Sequence, residues 1–254
     1  MFKRFFSKKQ DNIEQPSKIP AISEYPSILC IYAAYNIDDD DMRFIEENCH
    51  ECDFVIVDSL NRPYLNGMRL NNKPEVEYIT RNNIGYDVTA WKEYIIKNYE
   101  KLKKYDYVAL VNNSCRYDFK IRSTLKDMIN KGATFYGLNI SPVHNDHIQS
   151  YFTIIHKDIV KRRGFINHWI FMKEITGRDD AIKSHELTFL RDMVNTGAKA
   201  DTLTNYDFIG SGYEPERYNR NMGVIPPFMK KKVLQEPGMR RNYENLLAIL
   251  PHMI

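Results

Sequence analysis

The chain has 254 residues, 43% hydrophobic and 27% charged, an ordinary globular composition with enough length to bury a core without disulfides or a structural metal. A net charge of +3 is too small to point to nucleic acid as a partner. No apolar run reaches the ~18 residues of a membrane span, and none follows the N-terminal charges as a secretory signal would require.

Residues 1–26 read as a polar, basic leader. Lys3, Arg4, Lys8 and Lys9 alternate with Phe2, Phe5 and Phe6, a mixture that suits an anionic membrane surface. Residues 27–35, SILCIYAAY, form a continuous apolar run, expected of a strand buried on both faces. The acids 38–41 open a helix to about Asn48, because negative charge favours a first turn. DFVIVD (53–58) is a second buried strand and 76–80 a third. From Asp87 to about Leu102, Val88, Trp91, Ile95 and Tyr99 recur on one helical side. Residues 107–111 are a fourth strand and 121–130 a helix ended by Gly132. Further strands are expected at 135–138 and 151–155, and helices at 168–175 and 185–195. The stretch 27–210 therefore reads as one α/β domain, with strands and helices alternating around a mostly parallel sheet. The segment 211–254, with Lys230, Lys231, Lys232, Arg240 and Arg241, reads as an extension facing a membrane or a partner.

In a parallel sheet, ligands sit beyond the C-terminal strand ends. Those ends are polar here: Tyr35-Asn36, Asp58-Ser59, the run Arg81-Asn82-Asn83-Ile84-Gly85-Tyr86-Asp87, and Asn112-Asn113-Ser114. The set offers a carboxylate, amides, a hydroxyl, a guanidinium and a glycine turn, which is what a base, a ribose and a diphosphate require. Asp58 suits a base N–H or a ribose hydroxyl, and Arg81 a phosphate. Singly, these residue types also end strands and make turns, and Asp87 also suits a helix N-cap. The aromatic content of 13% would serve ring stacking or simple packing. Trp91 and Trp169 stand at core-like spacing. Cys49-His50-Glu51-Cys52 has no second pair for a zinc site, so the four cysteines read as reduced. No Gly-x-Gly-x-x-Gly, P-loop, Gly-x-Ser-x-Gly or His-Glu-x-x-His motif is present, against a dinucleotide oxidoreductase, a P-loop enzyme, a serine hydrolase and a zincin.

Four segments carry a likeness: RNNIGYDVTAWK (81–92), YDYVALVNNSC (105–115), FYGL (135–138) and HIQSYF (147–152). In order and spacing they resemble the rhamnan synthesis protein F family, within the GT-A glycosyltransferases, over about residues 27–200. The resemblance implies a GT-A-like fold and transfer of a deoxysugar, commonly rhamnose, from a dTDP- or UDP-sugar to a growing glycan or lipid-linked glycan. It implies an inverting enzyme of the hexosyltransferase class, at work in the cytoplasm, with peripheral contact at the inner membrane face. Tyr35, Asn36, Asp58, Arg81, Gly85, Asp87, Asn112, Asn113 and Ser114 would bind the donor. His147, Gln149 and Tyr151 would meet the acceptor or the diphosphate.

Asn112-Asn113-Ser114 falls where such enzymes place an Asp-x-Asp motif for Mg²⁺ or Mn²⁺, but it lacks the carboxylates these ions prefer. Metal dependence is therefore open at the Asn113 region. The cations Arg81, Arg116 and His147 are the substitutes for holding a departing diphosphate. Glu186, leading a helix as the acidic residue does in related enzymes, is the expected base, though a first-turn Glu also has a simpler explanation in the helix dipole. His144, Asp146 and His147 form a second polar group, read as a loop or acceptor contact ahead of a metal site. A nucleotide-binding scaffold subunit without catalysis, and a membrane-surface adaptor, remain as rivals.

Overall fold

The computed structural model describes residues 26–60, 76–141, 147–204 and 227–249. The basic leader up to residue 25, and His144 and Asp146, lie outside them.

Apolar runs become strands where expected: β1 (Ile28–Ala34), β2 (Asp53–Asp58), β3 (Val76–Thr80) and β4 (Tyr107–Asn112). Helix α1 (Asp39–Asn48) lies between β1 and β2. Asp38 caps it and exchanges side-chain bonds with Asp41, so both carboxylates quiet orphan N–H groups of the first turn. Helix α2 (Tyr86–Lys97) and the short α3 (Tyr99–Leu102) join β3 to β4. Next come β5 (Cys115–Tyr117), α4 (Ile121–Asn130), β6 (Phe135–Ser141), β7 (His147–Ile148) and β8 (Phe152–His156). The chain continues through α5 (Lys157–Val160), α6 (Arg163–Phe171), α7 (Arg178–Ala181), a π-helical turn (Ile182–Glu186), α8 (Leu187–Asn195) and β9 (Ala200–Thr204). The last described elements are β10 (Phe228–Lys230), α9 (Lys231–Leu234) and α10 (Met239–Ile249).

The strand order is β3-β2-β1-β4-β8-β6-β7, with β9 also on β6. The first four strands are mutually parallel, β8 is antiparallel to both β4 and β6, and β9 runs parallel to β6. The sheet is thus mixed α/β and mostly parallel.

Alternation along β1 divides the core. Ile28, Cys30 and Tyr32 face α1 and α4, packing with Phe44, Ile45, Leu125 and Met128. Leu29, Ile31 and Ala33 face α2, α6 and α8, packing with Trp91, Ile95, Trp169 and Phe189. A strand covered by helices on both faces must be apolar at every position, which is why the run was legible. Trp91 and Trp169 are fully buried, and Trp91 donates to the Ile31 carbonyl at 3.2 Å. They are core residues and present no face to a sugar. The four cysteines are buried and form no disulfide, and burial pushes the Cys52 thiol up to about 12.

Two expectations shift. The helix expected at 168–175 occupies 163–171, because Met172 turns extended and its carbonyl accepts from Lys92 Nζ at 2.6 Å. The helix expected to begin at 185 is preceded by the π-helical turn, which carries His185 and Glu186. Among the described residues no helix is long and apolar enough to cross a membrane.

Candidate functional site

Register fixes the site. Ala34 lies opposite Asp58, Asp58 opposite Thr80, and Ala33 opposite Asn112. The four polar strand ends therefore stand side by side, tied by Ser59 N–H to Ala34 O, Arg81 N–H to Asp58 O and Asn113 N–H to Ala33 O.

Asp58 is buried, yet it is held as an acceptor. Tyr78 donates to one oxygen at 2.5 Å and Leu60 N–H to the other at 2.9 Å. Each oxygen keeps a lone pair for a further donor. Burial, with the same contact, raises the Tyr78 phenol well above its usual value, so Tyr78 remains a donor.

Asn36 and Tyr86 have φ of 68° and 60°, in the left-handed region where non-glycine residues are uncommon. Gly85, at 75°, precedes Tyr86 and occupies the N-cap position of α2, so Asp87 falls in the first turn and is not the cap. A Cβ on Gly85 would lie 2.0 Å from Thr89 Oγ1, so both conformation and space demand glycine. This turn lifts Ile84 and Tyr86 out of the core. They are 59% and 48% exposed, and across the edge Tyr35 is 55% exposed. Two tyrosine rings and an isoleucine are thus left in water beside polar strand ends. The sequence carried no sign of their exposure.

Arg81 departs from expectation. Its Nε and Nη2 close on Glu93 at 2.8 and 2.9 Å, Nη2 also reaches Ile84 O at 2.8 Å, and Nη1 reaches Ser59 Oγ at 3.2 Å. Its fork fixes the glycine turn, and its charge is paired. Arg116 is likewise engaged, with Asp118 at 3.0 Å and Glu244 at 2.6 Å.

At the end of β4, Asn112 donates to Asp87 Oδ2 and accepts from Ser114 N–H at 3.1 Å and Ser114 Oγ at 2.6 Å. Asp87 Oδ1 accepts from Val88 N–H. Burial pushes the Asp87 carboxyl above its usual value. The Asn112 bond opposes this, nearby Glu186 adds to it and Lys230 opposes it, so both charges act at this point. Asn113 is turned inward, its amide on Asn36 O at 3.0 Å and its oxygen on Tyr35 N–H at 3.3 Å.

Glu186 is half-buried, and Ser150 Oγ donates to its Oε1 at 2.7 Å. The preceding His185 points the other way, stacked on Phe189 and bonded to His168 at 3.1 Å; His168 in turn meets Asp192 at 2.8 Å. The π-helical turn thus anchors one side chain in the core and presents the next toward the sheet edge, as such turns often do at functional sites. His147, in β7, and Gln149, just after it, pair at 3.2 Å beside Ser150 in sequence. The Tyr151 hydroxyl donates to Asn139, and its ring packs on Phe228.

Residues 227–249 also meet this edge. β10 pairs antiparallel with β5, Lys230 opposite Cys115. Lys230 Nζ reaches Ser114 Oγ at 2.9 Å and lies 4.1 Å from the centre of the Tyr151 ring. Lys231 binds Asp38 at 2.7 Å and Asp41 at 2.5 Å, and Arg240 binds Asp40 at 2.9 Å. Of these three cations, expected at a membrane or partner surface, Lys230 and Lys231 are half-buried and Arg240 is exposed, and each makes its described contact within the chain. Lys232 and Arg241 stay exposed.

The chain matches the rhamnan synthesis protein F family over residues 68–250, most of its length. The match takes in the 227–249 segment, beyond the limit near residue 200 expected from the resemblance. It begins after β2, so Tyr35, Asn36 and Asp58 precede it. Comparison with curated proteins gives no match. Among solved structures, a glycosyltransferase involved in the glycosylation of the major capsid of PBCV-1 is 12% identical, with 88% of this chain and 100% of that one covered and a TM-score of 0.47. TarS 1-349 of S. aureus in complex with UDP is 13% identical, with 71% and 59% covered and a TM-score of 0.46.

Proposed function

Because the chain belongs to the rhamnan synthesis protein F family, we propose that it is a glycosyltransferase that takes a sugar, rhamnose first among the candidates, from a dTDP- or UDP-sugar and passes it to a growing cell-surface polysaccharide. The observation that carries this reading is the register that sets four polar strand ends side by side, with Glu186 near enough to act on the Asp87 carboxyl at that edge. Asp58 takes a base N–H or ribose hydroxyl, and Tyr35, Ile84 and Tyr86 give the base a surface to lie on. Arg81 acts on the site by holding the Gly85 turn. The acceptor, a glycan or lipid-linked glycan, enters from the side of His147, Gln149 and Ser150.

The reaction is a displacement. The acceptor oxygen forms a bond to the anomeric carbon, the bond from that carbon to the β-phosphate oxygen breaks, and the nucleoside diphosphate leaves with the electron pair. The acceptor proton goes to Glu186, whose Oε1 accepts from Ser150 and whose Oε2 takes the proton, and the anomeric centre inverts. On this reading the enzyme works in the cytoplasm, at the inner face of the membrane where a lipid-linked acceptor lies.

A panel of nucleoside diphosphates and nucleotide sugars, followed by thermal unfolding, tests the donor site, since a ligand bound only by the folded state raises the melting temperature. Glu186→Gln should keep that shift and lose transfer by roughly 10²–10⁴-fold. Full transfer by the variant would remove Glu186 from the base role. The absence of carboxylates in Asn112-Asn113-Ser114 favours a second reading, a nucleotide-binding scaffold subunit. Donor binding by the wild type without transfer to any glycan acceptor would select it.

A further inference from the structure

A departing diphosphate needs positive charge beside it, and enzymes of this general fold commonly use Mg²⁺ or Mn²⁺. The described donor set at the end of β4 does not fit such an ion. Asn112 Oδ1 is occupied by two bonds from Ser114, Asn113 Oδ1 faces Tyr35 N–H, and Ser114 Oγ lies 2.9 Å from the Lys230 ammonium. Hard dications favour carboxylate oxygen, and an ammonium at that distance repels a second cation. Among the described residues no three His, Cys, Asp or Glu side chains converge.

We propose that Lys230 is the group that binds the diphosphate of the donor and neutralises it as the sugar departs. The proposal rests on the nucleotide-sugar reading above and assigns the cation of that same site. Neighbouring cations are already matched: Arg81 to Glu93, Arg116 to Asp118 and Glu244, and Lys231 to Asp38 and Asp41. Among the described residues, Lys230 ion-pairs with no carboxylate. Asp87 acts on it only without a direct contact; its bonded partners are a hydroxyl and the face of Tyr151, and these hold an ammonium in place without cancelling its charge.

The position is also rigid. Phe228 and Met229 are buried on one side, and on the other Lys231 N–H binds Ser114 O at 3.0 Å. A pre-placed cation of this kind costs no reorganisation when charge develops on the β-phosphate oxygen. The ammonium donates to that oxygen as the carbon–oxygen bond breaks and the electron pair moves onto phosphate.

Calorimetric titration of the full chain in EDTA, with uridine and UDP and with thymidine and dTDP, tests this. Wild type should bind the diphosphate of one pair more tightly than its nucleoside. Lys230→Met keeps the aliphatic stem and removes the charge. It should weaken diphosphate binding about tenfold to a hundredfold, the size of one charge-assisted hydrogen bond, with nucleoside affinity unchanged. Lys230→Arg should recover part of the loss, and Lys232→Ala should match wild type. Equal diphosphate affinity in wild type and Lys230→Met would overturn the assignment alone, as would wild-type diphosphate binding that appears only when Mg²⁺ or Mn²⁺ is added. Failure of wild type to bind any nucleoside or nucleotide would remove the donor site, and the role of Lys230 with it.

Discussion

Strands β1 to β4 and the segment 227–249 meet at one edge of the sheet and are held there by different forces. β1 and β4 are buried along their whole lengths, and apolar contact on two faces leaves them a single register. The later segment has a small apolar cluster of Met229, Val233, Leu234 and Tyr243, but it is aimed by charge: Lys231 on Asp38 and Asp41, Arg240 on Asp40, Glu244 on Arg116. Apolar burial has no charge to titrate or screen, whereas paired charges respond to both pH and ionic strength. The scaffold of the site should therefore be robust and its C-terminal side tunable.

The largest effect should come from the apolar region. Trp91→Ala empties a fully buried site between α2 and the sheet and should cost roughly 3–5 kcal/mol in urea unfolding. A loss below about 1 kcal/mol would mean that the two regions are not held differently.

Next is the buried ion pair. Lys231→Met leaves Asp41 buried without its cation and should cost about 3 kcal/mol at pH 7.5. Burial, against the pull of Lys231, raises the Asp41 carboxyl to about 6. Between about pH 6 and about 4 the native carboxyl therefore binds a proton that the unfolded chain has released, so this group makes the protein more stable as pH falls through that window. The cost of Lys231→Met should shrink at pH 5, where a neutral Asp41 no longer needs a cation, and Asp41→Asn should flatten the slope. A cost equal at both pH values would sink the electrostatic account of this segment.

The smallest effect belongs to the rim. Arg240 is 45% exposed, and Arg240→Ala should cost less than about 1 kcal/mol and less again in high salt. A loss as large as that of Lys231→Met would show the segment to be held by its surface charges.

The same contrast governs what could be read in advance. β2 and β3 fall where their apolar runs put them, and α4 where its periodicity put it, because each is specified by neighbours in sequence. The strand-end clusters were legible for a related reason, since a parallel sheet must bring its C-terminal ends together whatever lies between them. The Arg81–Glu93 fork spans twelve residues, and a guanidinium does not announce which carboxylate will close on it. The π-helical turn under Glu186 depends on an imidazole buried among Trp91, Trp169 and Phe189, partners from three helices.

Taken alone, the sequence determined the α/β layering, the parallel strands and the polar edge, because these follow from periodicity and from the requirement that apolar surface be buried. Only the tertiary structure decided which charges at that edge meet a carboxylate and which, among the described residues, do not. Lys230 and Lys231 are adjacent and chemically alike. A single strand pairing across more than a hundred residues turns one to two carboxylates and the other to a hydroxyl and an aromatic face. Charge pairing depends on distance in space, and the chain fixes that distance only once it has folded.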